Sequence, residues 1–93
     1  MAQAIALRIL THEGLALEDD AVSVIAPGEL GYLGMLRNHA PLVTTLKPGK
    51  LIWRRANGET KTRLVGIGLL EIAKNQLTFL TSSLTEPAQP QAA

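Results

Sequence analysis

Near the start of the chain Ile5, Leu7 and Ile9 alternate with Ala6 and Arg8. That period of two marks a strand with one buried face. The same pattern puts Leu15 and Leu17 on one face, then a strand over 21–26 closed by Pro27-Gly28, and a β-branched apolar run over 42–46 that stops at Pro48-Gly49. Asn57-Gly58 stands between the strand candidates 51–55 and 60–65. The dipeptide supplies positive φ at both centres of a type I′ turn and predicts a hairpin. Lys74-Asn75 predicts a second hairpin, joining 68–73 to 76–81. Turn signals recur at short intervals and few stretches reach helix length. The pattern therefore predicts about eight to ten short strands in an all-β sandwich or flattened barrel. The sandwich is expected over 1–83. A flexible tail containing Pro and Gln is expected over 84–93, where two prolines stand without periodicity.

Composition narrows the class. At 93 residues, with 46% hydrophobic and 18% charged, the chain reads as one small globular domain rather than a disordered one. The absence of Cys removes a disulfide framework and a thiolate metal site. A net charge of +1, with both signs mixed along the chain, gives no electrostatic reason to expect nucleic acid or an anionic membrane as the main partner. The N-terminus lacks the layout of a secretory signal, and no apolar run approaches the roughly 18 to 20 residues of a membrane-spanning helix. The expectation is a soluble chain that reaches a membrane only through other subunits.

The candidates for chemistry are few. His12 reads as a solvent-facing turn residue, and the two histidines lack the Cys or carboxylate company of a metal site. Glu18-Asp19-Asp20 reads as a solvated turn, without the ordered spacing of a calcium loop. The glycines of 28–34 lead to no Gly-Lys-Ser or Gly-Lys-Thr, so a phosphate loop fails its context. Arg54, Arg55, Lys61 and Arg63 read as a charged edge that discourages aggregation. Trp53 reads as a packing residue with its N–H satisfied, and Ser82 and Ser83 have no base beside them. No catalytic, cofactor-binding or metal-binding residue is assigned.

Two blocks carry a resemblance. From Pro27 to Gly49 the chain reads Pro-Gly-Glu-Leu-Gly-Tyr-Leu-Gly-Met-Leu-Arg-Asn-His-Ala-Pro-Leu-Val-Thr-Thr-Leu-Lys-Pro-Gly. From Val65 to Leu80 it places Gly68, Leu70-Glu71-Ile72, Asn75 and Leu77-Thr78 in order. Together they resemble the epsilon subunits of rotary F-type ATP synthases. The similarity extends over about residues 5–82 once the N-terminal strand pattern is included. The departures are Arg37-Asn38 where that family has Pro-Gly before the His, Ile67-Gly68-Leu69 for Gly-Gly-Phe, and Tyr32 in place of an acidic loop residue. Asn tolerates left-handed backbone, so Asn38 is expected to keep the turn.

The resemblance implies a ten-stranded β-sandwich of two sheets. It also implies a non-catalytic accessory subunit of the central stalk that turns with the rotor and couples ion translocation to ATP synthesis or hydrolysis. The implied partners are the gamma subunit and the ring of c subunits, with no cofactor, no nucleic acid and no membrane insertion. Position by position, Thr11, His39, Ala40, Pro41, Leu42 and Thr44 match residues facing gamma. Gly28, Glu29, Leu30, Gly31, Tyr32 and Leu33 match the loop that faces the ring. A domain this small should then carry apolar residues on its exterior that are buried only in the complex. The implied location is the cytoplasmic face of a bacterial inner membrane, as a peripheral subunit. Longer family members add two C-terminal helices that inhibit hydrolysis; without such a pair, this chain is expected to couple without that inhibition. The competing class is a free-standing β-sandwich adaptor for another protein.

Overall fold

A computed structural model describes residues 4–87. Its elements are ten strands: β1 (Ile5–Thr11), β2 (Gly14–Ala21), β3 (Ser23–Gly28), β4 (Gly31–Leu36), β5 (Leu42–Leu46), β6 (Gly49–Arg54), β7 (Thr60–Val65), β8 (Gly68–Ala73), β9 (Gln76–Thr81) and β10 (Leu84–Thr85). They form one continuous sheet in the order β10-β7-β6-β3-β5-β8-β9-β1-β2, with β4 paired to β3. The sheet folds over at β3, where Gly28 pairs with Leu46 of β5. This produces two layers, β10-β7-β6-β3-β4 against β5-β8-β9-β1-β2. All pairs are antiparallel except β1 with β9. No helix long and apolar enough to cross a membrane is found among the described residues.

Alternation decides which side chains fill the space between the layers. Ile5, Leu7 and Ile9 of β1 are fully buried, as their spacing predicts, and they meet Val24, Leu51, Trp53, Leu70, Ile72, Leu77 and Phe79. At about 25 cal/mol per Å² of apolar area removed from water, these large side chains are the main source of stability. Arg8, on the opposite parity of β1, pairs with Glu18 at the surface.

The sandwich runs two residues past position 83, because Leu84 and Thr85 pair with Val65 and Leu64. The rest of the expected flexible tail, from residue 88, lies outside the described residues. Pro27 and Gly28 end β3 as its last two residues rather than standing just beyond it, and Ala21 ends β2 before β3 begins at Ser23.

The two hairpins differ from their predicted turns. Lys74 and Asn75 both have left-handed backbone, φ 52 and 59, so the type I′ turn is there. At the other hairpin only Gly58 is left-handed, with φ 90. Gly58 N–H donates to Arg55 O at 2.9 Å, and Arg55 N–H donates to Glu59 O at 2.8 Å. Asn57 keeps an ordinary conformation because its Oδ1 accepts the Glu59 N–H at 2.9 Å. The result is a three-residue loop with glycine in the left-handed position.

Glu18-Asp19-Asp20 is part of β2, not a solvated turn. Its middle residue closes the sandwich: Asp19 Oδ2 accepts the Trp53 indole N–H at 2.8 Å, and Oδ1 lies 3.2 Å from Arg55 Nε. Burial opposes charge on Asp19. The Trp53 N–H, the Asp20 backbone N–H and the nearby Arg55 and Lys61 outweigh it and hold the carboxyl below its usual range. The basic residues expected to guard an edge are also used internally. Arg63 stands over the Trp53 ring, 5.9 Å from its centroid, and pairs with Glu86.

Candidate functional site, an apolar outer face

The outward parity of the β5-β8-β9-β1-β2 layer is built from transverse rows. In one row Thr45 pairs with Leu69, Leu69 with Leu80, Leu80 with Leu10, and Leu10 with Leu15. The next row runs Val43, Glu71, Thr78, Arg8, Glu18. Four apolar side chains in one row across four adjacent strands cannot all reach the core, since each strand turns its other parity inward. Leu15, Leu69 and Leu80 are accordingly 49%, 44% and 50% exposed, with Val43 and Ile67 at 64% and 63% beside them. An open groove lies along the row, lined by Leu10, Thr45, Ile67, Leu69, Leu80 and their neighbours. Contiguous exposed apolar surface of this kind is typical of interaction sites in general, whether for a protein, a membrane or a ligand.

The residues expected to face gamma are spread over this layer. Thr11 lies at the end where Leu46, Gly68 and Thr81 meet. His39, Ala40 and Pro41 lead into β5 at the opposite end, about 15 Å away at strand rise. His39 donates from Nδ1 to Ala40 O at 2.6 Å, and Asn38 is left-handed, φ 67, as the turn requires. Leu42 and Thr44 sit on the inward parity, paired with the buried Ile72 and Leu70, whereas Val43 and Thr45 point out. Motif positions taken one at a time do not reach Val43, Leu69 and Leu80. The signal for them is a strand with apolar residues on both parities, such as Leu69-Leu70 inside β8.

The 28–33 segment is the β3–β4 hairpin. Glu29, Leu30, Gly31 and Tyr32 are exposed, and Leu30 is wholly so at 103%. Gly28 and Leu33 turn inward: a Cβ on Gly28 would collide with the Leu33 side chain, so glycine there leaves Leu33 its path to the core. Gly31 has φ 127, while Gly34 has neither a left-handed backbone nor a crowded Cβ position. Tyr32 Oη accepts the Lys50 N–H at 3.2 Å. Glu29 accepts the Thr45 hydroxyl, which joins the hairpin to the apolar row. Among the described residues no group of three or more His, Cys, Asp or Glu is placed to hold a metal ion.

The architecture is that of a two-layer, ten-stranded β-sandwich whose β5-β8-β9-β1-β2 layer carries a row of exposed apolar residues. The profile of the family "ATP synthase, Delta/Epsilon chain, beta-sandwich domain" matches residues 4–87, and the chain belongs to that family. It is 44% identical over 84 residues to the ATP synthase epsilon chain of Acidithiobacillus ferridurans, covering 89% of this chain and 58% of that one. It is 42% identical over 77 residues to the epsilon chain of Moorella thermoacetica, covering 83% and 58%. The chain therefore spans little more than half the length of these curated relatives. The fold is also that of a chain in the Euglena gracilis mitochondrial ATP synthase, solved with OSCP, F1 and c-ring. That match has a TM-score of 0.82 at 20% identity, covering 91% of this chain and 54% of that one. A chain of the Tetrahymena thermophila central stalk and c-ring gives 0.72 at 20% identity, covering 90% and 67%.

Proposed function

We propose that this chain works as the epsilon β-sandwich of a rotary ATP synthase, a non-catalytic part of the central stalk held between the gamma subunit and the c ring. The observation that carries the reading is the row Leu69, Leu80, Leu10 and Leu15, apolar and turned away from the core. A standard interface covers about 800 Å² per partner, roughly an eighth of the 6033 Å² that this domain presents. The apolar row supplies the centre of such a patch, and Glu71, Arg8 and Glu18 supply a polar rim.

Gamma covers this row and the 39–41 segment, and the exposed tip Glu29–Tyr32 meets the ring. The two contacts are joined through Thr45 and Glu29. Torque then passes through a rigid body rather than across a hinge, since the sheet is continuous from one contact to the other. The chain reaches the membrane only through the ring, as a peripheral subunit coupling ion flow to nucleotide turnover. The test is co-expression with gamma from the same source, comparing wild type with Leu69→Asp plus Leu80→Asp. Recovery with gamma that the double variant loses, while its circular dichroism is unchanged, supports the reading. A well-folded wild type that does not bind gamma favours the free-standing adaptor.

A further inference from the structure

β2, β4 and β10 each pair with a single strand, so each leaves one edge of backbone groups without a strand partner among the described residues. Two of these edges are guarded. β2 carries Glu18, Asp19 and Asp20, and β10 is two residues long with Glu86 following it. Charge and shortness are the usual means of blocking unwanted strand pairing. β4 has neither defence: it reads Gly-Tyr-Leu-Gly-Met-Leu over Gly31–Leu36, without charge or proline.

The side chains of β4 also form a receptive surface. Tyr32 and Leu36 point outward, 60% and 65% exposed, and Gly34 lies between them on the same parity. A Cβ built on Gly34 would meet nothing within 4 Å. Across the ladder from Gly34 stands Ile25, 44% exposed. The open space over Gly34 thus lies between the positions of Tyr32 and Leu36 along β4 and beside Ile25 of β3. A bulky apolar residue on a neighbouring strand, opposite the glycine, fills it. A second copy of the chain does not: β4 laid on β4 about Gly34 sets glycine against glycine.

We propose that the free edge of β4 accepts an extended segment of another protein by strand addition. The segment carries an aromatic or large aliphatic residue opposite Gly34 and an acidic residue toward the exposed Arg37, which follows the strand. Main-chain hydrogen bonds supply affinity, and the Gly34 gap and Arg37 supply selectivity. The site is independent of the gamma-facing row on the other layer.

The test is an amide NMR titration of the whole chain with a short acetylated peptide of alternating Thr and Val, a central Phe and an acidic end. Its twin is N-methylated on alternate amides, which removes donors along one edge and keeps every side chain. The expected result is shifts confined to β4 and β3, with the twin and Gly34→Lys each about tenfold weaker, the scale of one or two lost hydrogen bonds. Gly34→Lys enters open space, so the variant folds. No binding, equal binding of the twin, or shifts centred on Leu69 and Leu80 overturn the proposal. Concentration-dependent shifts in β4 without peptide overturn it in favour of a second copy.

Discussion

Asn38 and Asn75 hold each other by two hydrogen bonds, Asn38 N–H to Asn75 Oδ1 at 2.6 Å and Asn75 Nδ2–H to Asn38 Oδ1 at 3.1 Å. Both have left-handed backbone, with φ 67 and 59. The pair ties the approach to His39-Ala40-Pro41 to the β8–β9 turn, whose Asn75 O also accepts the Ala6 N–H at 2.8 Å. One residue therefore fixes the turn, the proposed contact segment and the start of β1.

Lys74 and Asn75 are both left-handed, so relieving either backbone should stabilise the fold unless a side chain is needed there. Lys74→Gly is expected to raise stability by about 1 kcal/mol. Asn75→Gly gains less, because Asn already tolerates left-handed backbone, and it loses both bonds to Asn38, each worth about 1 kcal/mol, so it should be destabilising. Urea unfolding of the two variants checks the difference.

Asp19 sets the acid limit of the contact with Trp53 and Arg55. Its folded pKa lies below the ordinary value of 3.8, so its contribution is complete above that value and is lost as pH falls through the folded pKa. Stability from this group should be level from neutral pH down to about pH 5 and then decline below about pH 4. Asp19→Asn should remove that share of the decline, read as a flatter pH dependence of the urea midpoint. Trp53→Phe removes the indole donor and part of a fully buried ring, so a cavity adds to the lost hydrogen bond and the cost should be about 2 to 4 kcal/mol.

Gly68 is fixed by contact rather than by φ. A Cβ there would collide with the carbonyl oxygen of Leu80, across the β8–β9 ladder. Gly68→Ala must push apart a pair of hydrogen-bonded strands and should cost about 3 kcal/mol, the upper range for overpacking. Gly34→Ala, in open space and on ordinary extended backbone, should be neutral or stabilise by up to about 1 kcal/mol. Thermal melts of the two variants make the comparison.

The inward residues are legible in sequence because alternation reports burial directly, as in Ile5, Leu7 and Ile9. The Lys74-Asn75 hairpin is placed by its length of two residues between matched strands. The turn at Asn57-Gly58 departs from expectation because Asn57 uses its side chain to hold Glu59, a choice that dipeptide preference does not report. Asp19 resembles a turn residue in sequence because Trp53, its partner, is distant along the chain and meets it only when the layers close. The outer row is hidden for the same reason: Leu10, Leu15, Leu69 and Leu80 become one surface only through the pairing of four strands.

The most direct test uses cysteine protection, which is clean because the chain has no Cys. Leu69→Cys, Leu80→Cys and Leu36→Cys would each be labelled with a maleimide, with and without excess gamma subunit. The rotor assignment predicts labelling at least about tenfold slower at positions 69 and 80 when gamma is bound, as occupancy above about 90% requires. Position 36, on the other layer, should label at an unchanged rate. Protection at 36 with free labelling at 69 and 80 would contradict the proposed face.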